Sequence, residues 1–63
     1  MQNSLKQHRQ ARGMTQEELA KRLHVTRQTV IAIETGKYSP SIEVALGCAR
    51  VLGVRVEQLF SLE

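Results

Sequence analysis

The sequence predicts a single all-α domain of five short helices, on three observations. Apolar residues recur at helical spacing: Leu19, Ala20 and Leu23, then Val30 and Ile33, then Ile42, Ala45, Leu46, Ala49 and Leu52. Helix starts at Thr15 with Glu18, at Thr26 and at Ser41 alternate with glycine stops at Gly13, Gly36 and Gly53. Finally, 63 residues make one small domain with a thin margin of stability, and no linker, repeat or low-complexity segment divides it.

The first helix should run from about Ser4 to Arg12, capped by Asn3 or Ser4, with Ser4 and Gln7 as a capping box and Gly13 as its stop. Leu5 should face the core. His8, one turn later, reads as a core-edge side chain, since it has no partner ligands for a metal. The second helix opens on Thr15-Gln16-Glu17-Glu18, where Thr15 and Glu18 satisfy each other's backbone donors and both glutamates suit the positive end of the dipole. Their role is structural, not catalytic. The third helix spans about Arg27 to Thr35 behind Thr26. Its run Thr29-Val30-Ile31 disfavours an isolated helix, so packing must hold it. After a loop from Lys37 to Ser41 comes a fourth helix, about Ile42 to Leu52, with Ile42, Ala45, Leu46, Ala49 and Leu52 as its core face. Val44, Cys48 and Val51 form a second apolar stripe, well over a right angle away at about 100° per residue. A short fifth helix from about Val56 to Leu59 turns Leu59 inward and leaves Phe60 and Leu62 near the surface.

Residues 16–35, QEELAKRLHVTRQTVIAIET, read as two helices across a tight turn, with Val25 as the turn plug and small Ala20 where the second helix crosses closely. Such a unit places one helix in the major groove of DNA. The stretch resembles the helix-turn-helix of the phage repressor and Cro family of transcriptional regulators. The family's pattern has Gln at the start, Leu-Ala next, Gly-Val in the turn and Glu-x-Gly at the end. Gln16, Leu19-Ala20, Val25 and Glu34-Thr35-Gly36 match it, and His24 replaces the turn glycine. That position usually needs a left-handed backbone, which His visits more readily than β-branched residues do, with some loss of stability. The resemblance covers about Leu5 to Phe60 and implies a compact five-helix lambda-repressor-like domain.

Arg27, Gln28 and Thr29 should come from the first turn of the third helix toward the bases. Arg pairs in a fork with guanine O6 and N7, and Gln does the same with adenine N6 and N7. The resemblance implies that bases are read mainly from these positions, with Ala32 against a thymine methyl. The plainer reading makes Arg27 and Gln28 exposed polar residues at a helix start. Thr15 and Gln16 lie where a helix N-terminus already favours an anion such as phosphate. Thr35, Lys37 and Tyr38 match the positions from which the family grips the DNA backbone on the other side. Arg9 and Glu34 resemble the family's largely buried pair between the first helix and the end of the third, with Arg9 also near a phosphate. Two independent surface charges are the plainer alternative.

Net charge is +3, unevenly spread. Residues 1–40 hold seven basic and three acidic side chains, whereas residues 41–63 hold two basic and three acidic. The first part suits a polyanion and the last third suits packing. Val44, Cys48, Val51, Phe60 and Leu62 are therefore read as the contact of a homodimer that binds a pseudo-palindromic duplex site. An enzyme is not expected: the chain has no Asp, no Ser-His or Cys-His nucleophile grouping and no Gly-rich phosphate loop. His8, His24 and Cys48 have no zinc spacing, and no cofactor is expected. With only Tyr38 and Phe60 as aromatics, stacking on single strands is unsupported. No apolar run approaches the roughly 20 residues of a membrane span, no signal-peptide pattern opens the chain, and the single Cys48 forms no internal disulfide, so a cytoplasmic protein is expected. Competing readings are an antitoxin that binds a toxin through the Val44, Cys48 and Val51 stripe, and the DNA-binding part of a longer ligand-sensing regulator.

Overall fold

The computed structural model describes residues 2–62. In chain order it contains β1 (Gln2–Asn3), α1 (Leu5–Ala11), α2 (Gln16–Leu23), α3 (Arg27–Glu34), α4 (Ile42–Leu52), α5 (Val56–Leu59) and β2 (Phe60–Ser61). The five helices fall where the sequence put them, the expected bounds holding to within one residue. The strands are an addition: they pair antiparallel, Gln2 with Ser61 and Asn3 with Phe60, and clip the two ends of the chain together. Strands of two residues are too short to show an alternating pattern.

Every helix contributes to one core. Leu5 comes from α1, Leu19 from α2, Val30 and Ile33 from α3, Leu52 from α4 and Leu59 from α5, and all are buried. Burying each such side chain is worth roughly 1.5–3 kcal/mol. Ala20 is buried beside them, as its small size predicted. Gly47, inside α4, allows a close approach to α2: a Cβ there would meet Leu23 Cδ2 at 3.1 Å. That contact explains a residue which otherwise weakens a helix by about 1 kcal/mol.

Three expectations are corrected. First, α4 is rotated from the expected face. Ala45, Cys48, Ala49 and Leu52 are buried, while Ile42 and Leu46 are 70% and 54% exposed. Small residues permit the close helix approach, so they take the core side and the bulkier Ile42 and Leu46 are left outside. Second, Cys48 is therefore no surface residue: it is fully buried, and burial pushes its thiol up to about 11. Val44, Val51 and Phe60 are half-buried against the core, so of the expected dimer stripe only Leu62 is largely free.

Third, Ser4 does not cap α1. Its backbone (φ −118°, ψ 29°) is not the extended cap geometry, and no Ser4–Gln7 box forms. Asn3 takes that place, its Oδ1 accepting the Leu5 N–H at 3.2 Å. The Ser4 hydroxyl instead donates to the Gln58 carbonyl at 2.8 Å, a second tie between the chain ends. His8 lies half-buried over this junction, with Nδ1 at 3.0 Å from the Ser4 carbonyl oxygen.

Candidate nucleic-acid interface

The site begins at the N-terminus of α2. The Thr15 N–H donates to Glu18 Oε1 at 2.8 Å, and the Glu18 N–H donates to the Thr15 hydroxyl oxygen at 3.0 Å. The bond from the Thr15 N–H is the first cause that holds the Glu18 carboxyl below its ordinary value. With those donors occupied, the first-turn amides of Gln16 and Glu17 are the ones with no acceptor among the described residues.

The turn to α3 rests on His24, the one described non-glycine residue with positive φ (φ 59°, ψ 40°). Two bonds close it, from the His24 N–H to the Lys21 carbonyl at 3.3 Å and from the Val25 N–H to the Ala20 carbonyl at 3.0 Å. Val25 then packs half-buried on the core. Thr26 is extended and accepts the Thr29 N–H at 3.2 Å, which starts α3; the Thr26 and Thr29 hydroxyls lie 3.0 Å apart.

Val30 and Ile33 hold the inner side of α3. At about 100° per residue, Gln28, Ala32 and Thr35 fall within about 60° of one another on the opposite side. Arg27 and Thr29 flank that face. Arg27 and Gln28 are exposed, whereas Thr29 and Ala32 are half-buried. Ile31 falls on the same outer face and was missed. It is half-buried but is not among the side chains packed on the core. A β-branched residue reads as core in a sequence, and only its angle on the helix separates it from Val30.

The far end of α3 is held hard. Arg9 Nε donates to Glu34 Oε2 at 2.6 Å and Nη2 to Oε1 at 3.3 Å, while Nη1 donates to the Met14 carbonyl at 2.7 Å. The two side chains are 8% and 3% exposed, so the expected pair is buried. Gln16 Nε2 also donates to Glu34 Oε1 at 3.1 Å, a contact the sequence did not reveal. It joins the start of α2, where Thr15 and Gln16 lie, to the end of α3, from which Thr35, Lys37 and Tyr38 follow. Gly36 (φ 80°) then turns the chain, with its N–H on the Ile33 carbonyl at 3.0 Å and the Lys37 N–H on the Ala32 carbonyl at 2.9 Å. Lys37 and Tyr38 follow, both exposed.

Charge at the site is available rather than spent. Arg9–Glu34 is the one ion pair among the described residues, so Arg27 and Lys37 have no carboxylate within 4.0 Å. Three expected phosphate donors are less free, Gln16 among them through its side-chain bond to Glu34. Three of the N–H groups of Arg9 are used internally, and the Thr35 hydroxyl donates to the Ile31 carbonyl at 2.9 Å. No group of three or more metal-ligating side chains is assembled among the described residues, and none of their helices is long and apolar enough to cross a membrane.

An exposed Arg-Gln pair opening a helix, a left-handed tight turn before it and a buried ion pair behind it form one arrangement. Residues 5–59, nearly the whole chain, match a family model described as helix-turn-helix. The chain belongs to the Cro/C1-type helix-turn-helix family of transcriptional regulators. As a helix-turn-helix regulator it is a DNA-binding protein and not an enzyme. An HTH-type transcriptional regulator of Methanocaldococcus jannaschii is 51% identical over 63 residues, covering 100% of this chain and 96% of its own. The regulator YgzD of Bacillus subtilis is 43% identical over 63 residues, with the same coverage of 100% and 96%. Among solved structures, the restriction-modification controller protein C.AhdI of Aeromonas hydrophila superposes with a TM-score of 0.82 at 32% identity, covering 89% of this chain and 85% of that one. The clp gene regulator ClgR of Corynebacterium glutamicum superposes at 0.79 and 29% identity over 82% of this chain, which spans 55% of ClgR. These helix-turn-helix regulators share the lambda-repressor-like fold.

Proposed function

We propose that this helix-turn-helix protein binds a pseudo-palindromic duplex operator as a homodimer in the cytoplasm, with α3 in the major groove, and acts as a repressor. The observation that carries the reading is the exposed, unpaired Arg27 and Gln28 on the first turn of a helix whose other end is locked by Arg9 and Gln16. Arg27, Gln28, Thr29 and Ala32 read base edges, with Ile31 added to them as an apolar contact. Thr15, Gln16, Lys37 and Tyr38 carry the phosphate contacts. Arg9 and Thr35, whose donors are largely committed inside the fold, mainly shape the site.

The proposed dimer contact moves with the rotation of α4. Ile42 and Leu46, one turn apart, are the exposed large apolar residues of that helix, and Leu62 is exposed beyond β2. Cys48 drops out, and Val44 and Val51, roughly opposite Ile42 and Leu46 around α4 at about 100° per residue, lie outside this contact. Two copies place their reading helices about 34–36 Å apart, one turn of duplex. Selection from a random duplex pool tests the reading: an inverted repeat with that spacing is expected, and no enriched duplex would refute it. Leu46→Glu should give a folded monomer in sedimentation, whereas Val51→Glu, placed against the core, should disturb the fold itself. Wild-type protein that stays monomeric at high micromolar concentration, free and on its operator, would exclude the dimer.

A second reading has its own observation. A groove of about 610 Å³ runs between α2 and α4, with Leu23, Val44 and Val51 in it and Arg22 and Arg50 at its edge. An antitoxin or other interaction module would use it for a protein partner, and a longer regulator would use it for a sensor domain. A pull-down from the native host in which a bound protein excludes DNA would favour this reading.

A further inference from the structure

Asn3 lies outside the two helices of the DNA-reading unit, yet it joins three parts of the fold. Its backbone pairs with Phe60 in the terminal clip. Its side-chain oxygen accepts the Leu5 N–H at 3.2 Å, at the start of α1. Its Nδ2 donates to the Ile33 carbonyl at 2.8 Å, at the end of α3. That carbonyl already accepts the Gly36 N–H at 3.0 Å, in the turn that delivers Lys37 and Tyr38. A carbonyl oxygen has two lone pairs, and Asn3 occupies the one the turn leaves over. The next residue, Glu34, is held by Arg9 and Gln16. Neighbouring residues at the end of α3 are thus tied to β1, α1 and α2 in turn.

We propose that Asn3 is a positioning residue for DNA reading. Through the Ile33 carbonyl it sets the seat of the end of α3 and of the Gly36–Lys37 turn. Through β1 it couples that seat to the C-terminal strand. The physical reason is a division of labour: phosphate contacts set the register of the protein on the duplex, and base contacts then specify the sequence. Hydrogen bonds weaken steeply when misaligned, so a small shift at the phosphate-gripping turn is felt by Arg27 and Gln28 at the bases. The proposal rests on the reading of α3 as the base-reading helix.

Two substitutions separate the two jobs of the side chain. Asn3→Asp keeps an acceptor for the Leu5 N–H but offers the Ile33 carbonyl an oxygen instead of a donor. Asn3→Ala removes both bonds. The readout is the ratio of affinities for the selected operator and for a shuffled duplex of the same composition, at a temperature where circular dichroism shows each protein folded. Asn3→Asp should lower that ratio about tenfold, the scale of one directed hydrogen bond at about 1.4 kcal/mol per decade. Cys48→Ala, a buried change on α4 that removes no hydrogen bond at the end of α3, should lower the melting temperature and leave the ratio unchanged. If Asn3→Asp behaves like Cys48→Ala, Asn3 is a staple of the fold only and the proposal is wrong. Wild-type protein supplies a second readout that needs no variant to fold. The side-chain amide resonances of Asn3 should shift with operator and stay put with shuffled duplex; resonances that do not move with operator overturn the proposal. A wild-type ratio of one would overturn the base-reading role of α3, and this inference with it.

Discussion

Glu34→Ala probes the joint on which the reading helix rests. In the native protein the Glu34 carboxylate takes two bonds from Arg9, at 2.6 and 3.3 Å, and one from Gln16 at 3.1 Å. Alanine removes all three and leaves the Arg9 guanidinium, 7% exposed as a residue, with the Met14 carbonyl as its remaining acceptor. Breaking a buried pair by removing one partner costs about 3–5 kcal/mol, because the other charge stays behind without compensation. A domain this small holds about the same amount in total. At about 4–8 °C per kcal/mol for a chain of this size, the melting temperature should fall by at least about 12 °C, and the protein should be largely unfolded at physiological temperature. The assay is a thermal melt followed by circular dichroism, with the double variant Arg9→Met, Glu34→Leu alongside. The double variant should recover most of the loss, since an apolar pair of similar volume leaves no stranded charge. A single variant that melts within a few degrees of wild type would refute the reasoning, as would a double variant no better than the single.

Two further predictions concern binding and pH. Arg27→Ala should weaken operator binding by about 1–3 kcal/mol and relax the preference at one base pair, whereas Lys37→Ala should weaken all duplexes alike and lower the salt slope by about one. Titrations on operator and single-base variants at several salt concentrations distinguish the two, and an intact base preference in Arg27→Ala would count against the assignment. The Glu18 carboxyl is held below its ordinary value of 4.5, first of all by the Thr15 N–H. A depressed value means that its contribution to stability is present above the unfolded-state value and is lost as pH falls through the folded-state one. Glu18→Gln, which keeps an acceptor for Thr15, should therefore flatten this part of the acid unfolding curve; melts across the acid range that superpose on wild type would contradict it.

What the sequence by itself determined is what local chemistry decides. Thr15, Thr26 and Ser41 cap the helices they begin, and Gly53 ends α4 in a left-handed conformation. Such signals act over three or four residues, so they are legible without the rest of the chain. The left-handed His24 and the exposed Arg27-Gln28 pair belong to the same class, and the pattern around them reached as far as the buried Arg9–Glu34 pair. Tertiary structure alone decided the rotation of α4, which buries Cys48 beside the expected Ala45 and Ala49 and leaves the more hydrophobic Ile42 and Leu46 outside, because close packing favours the smaller side chains. It also decided the terminal clip, the Gln16–Glu34 bond across 18 residues and the Asn3–Ile33 bond across 30. A polar side chain carries no record of a distant partner. Which carbonyl Asn3 meets is known only once the core has brought the two chain ends and the end of α3 to one place.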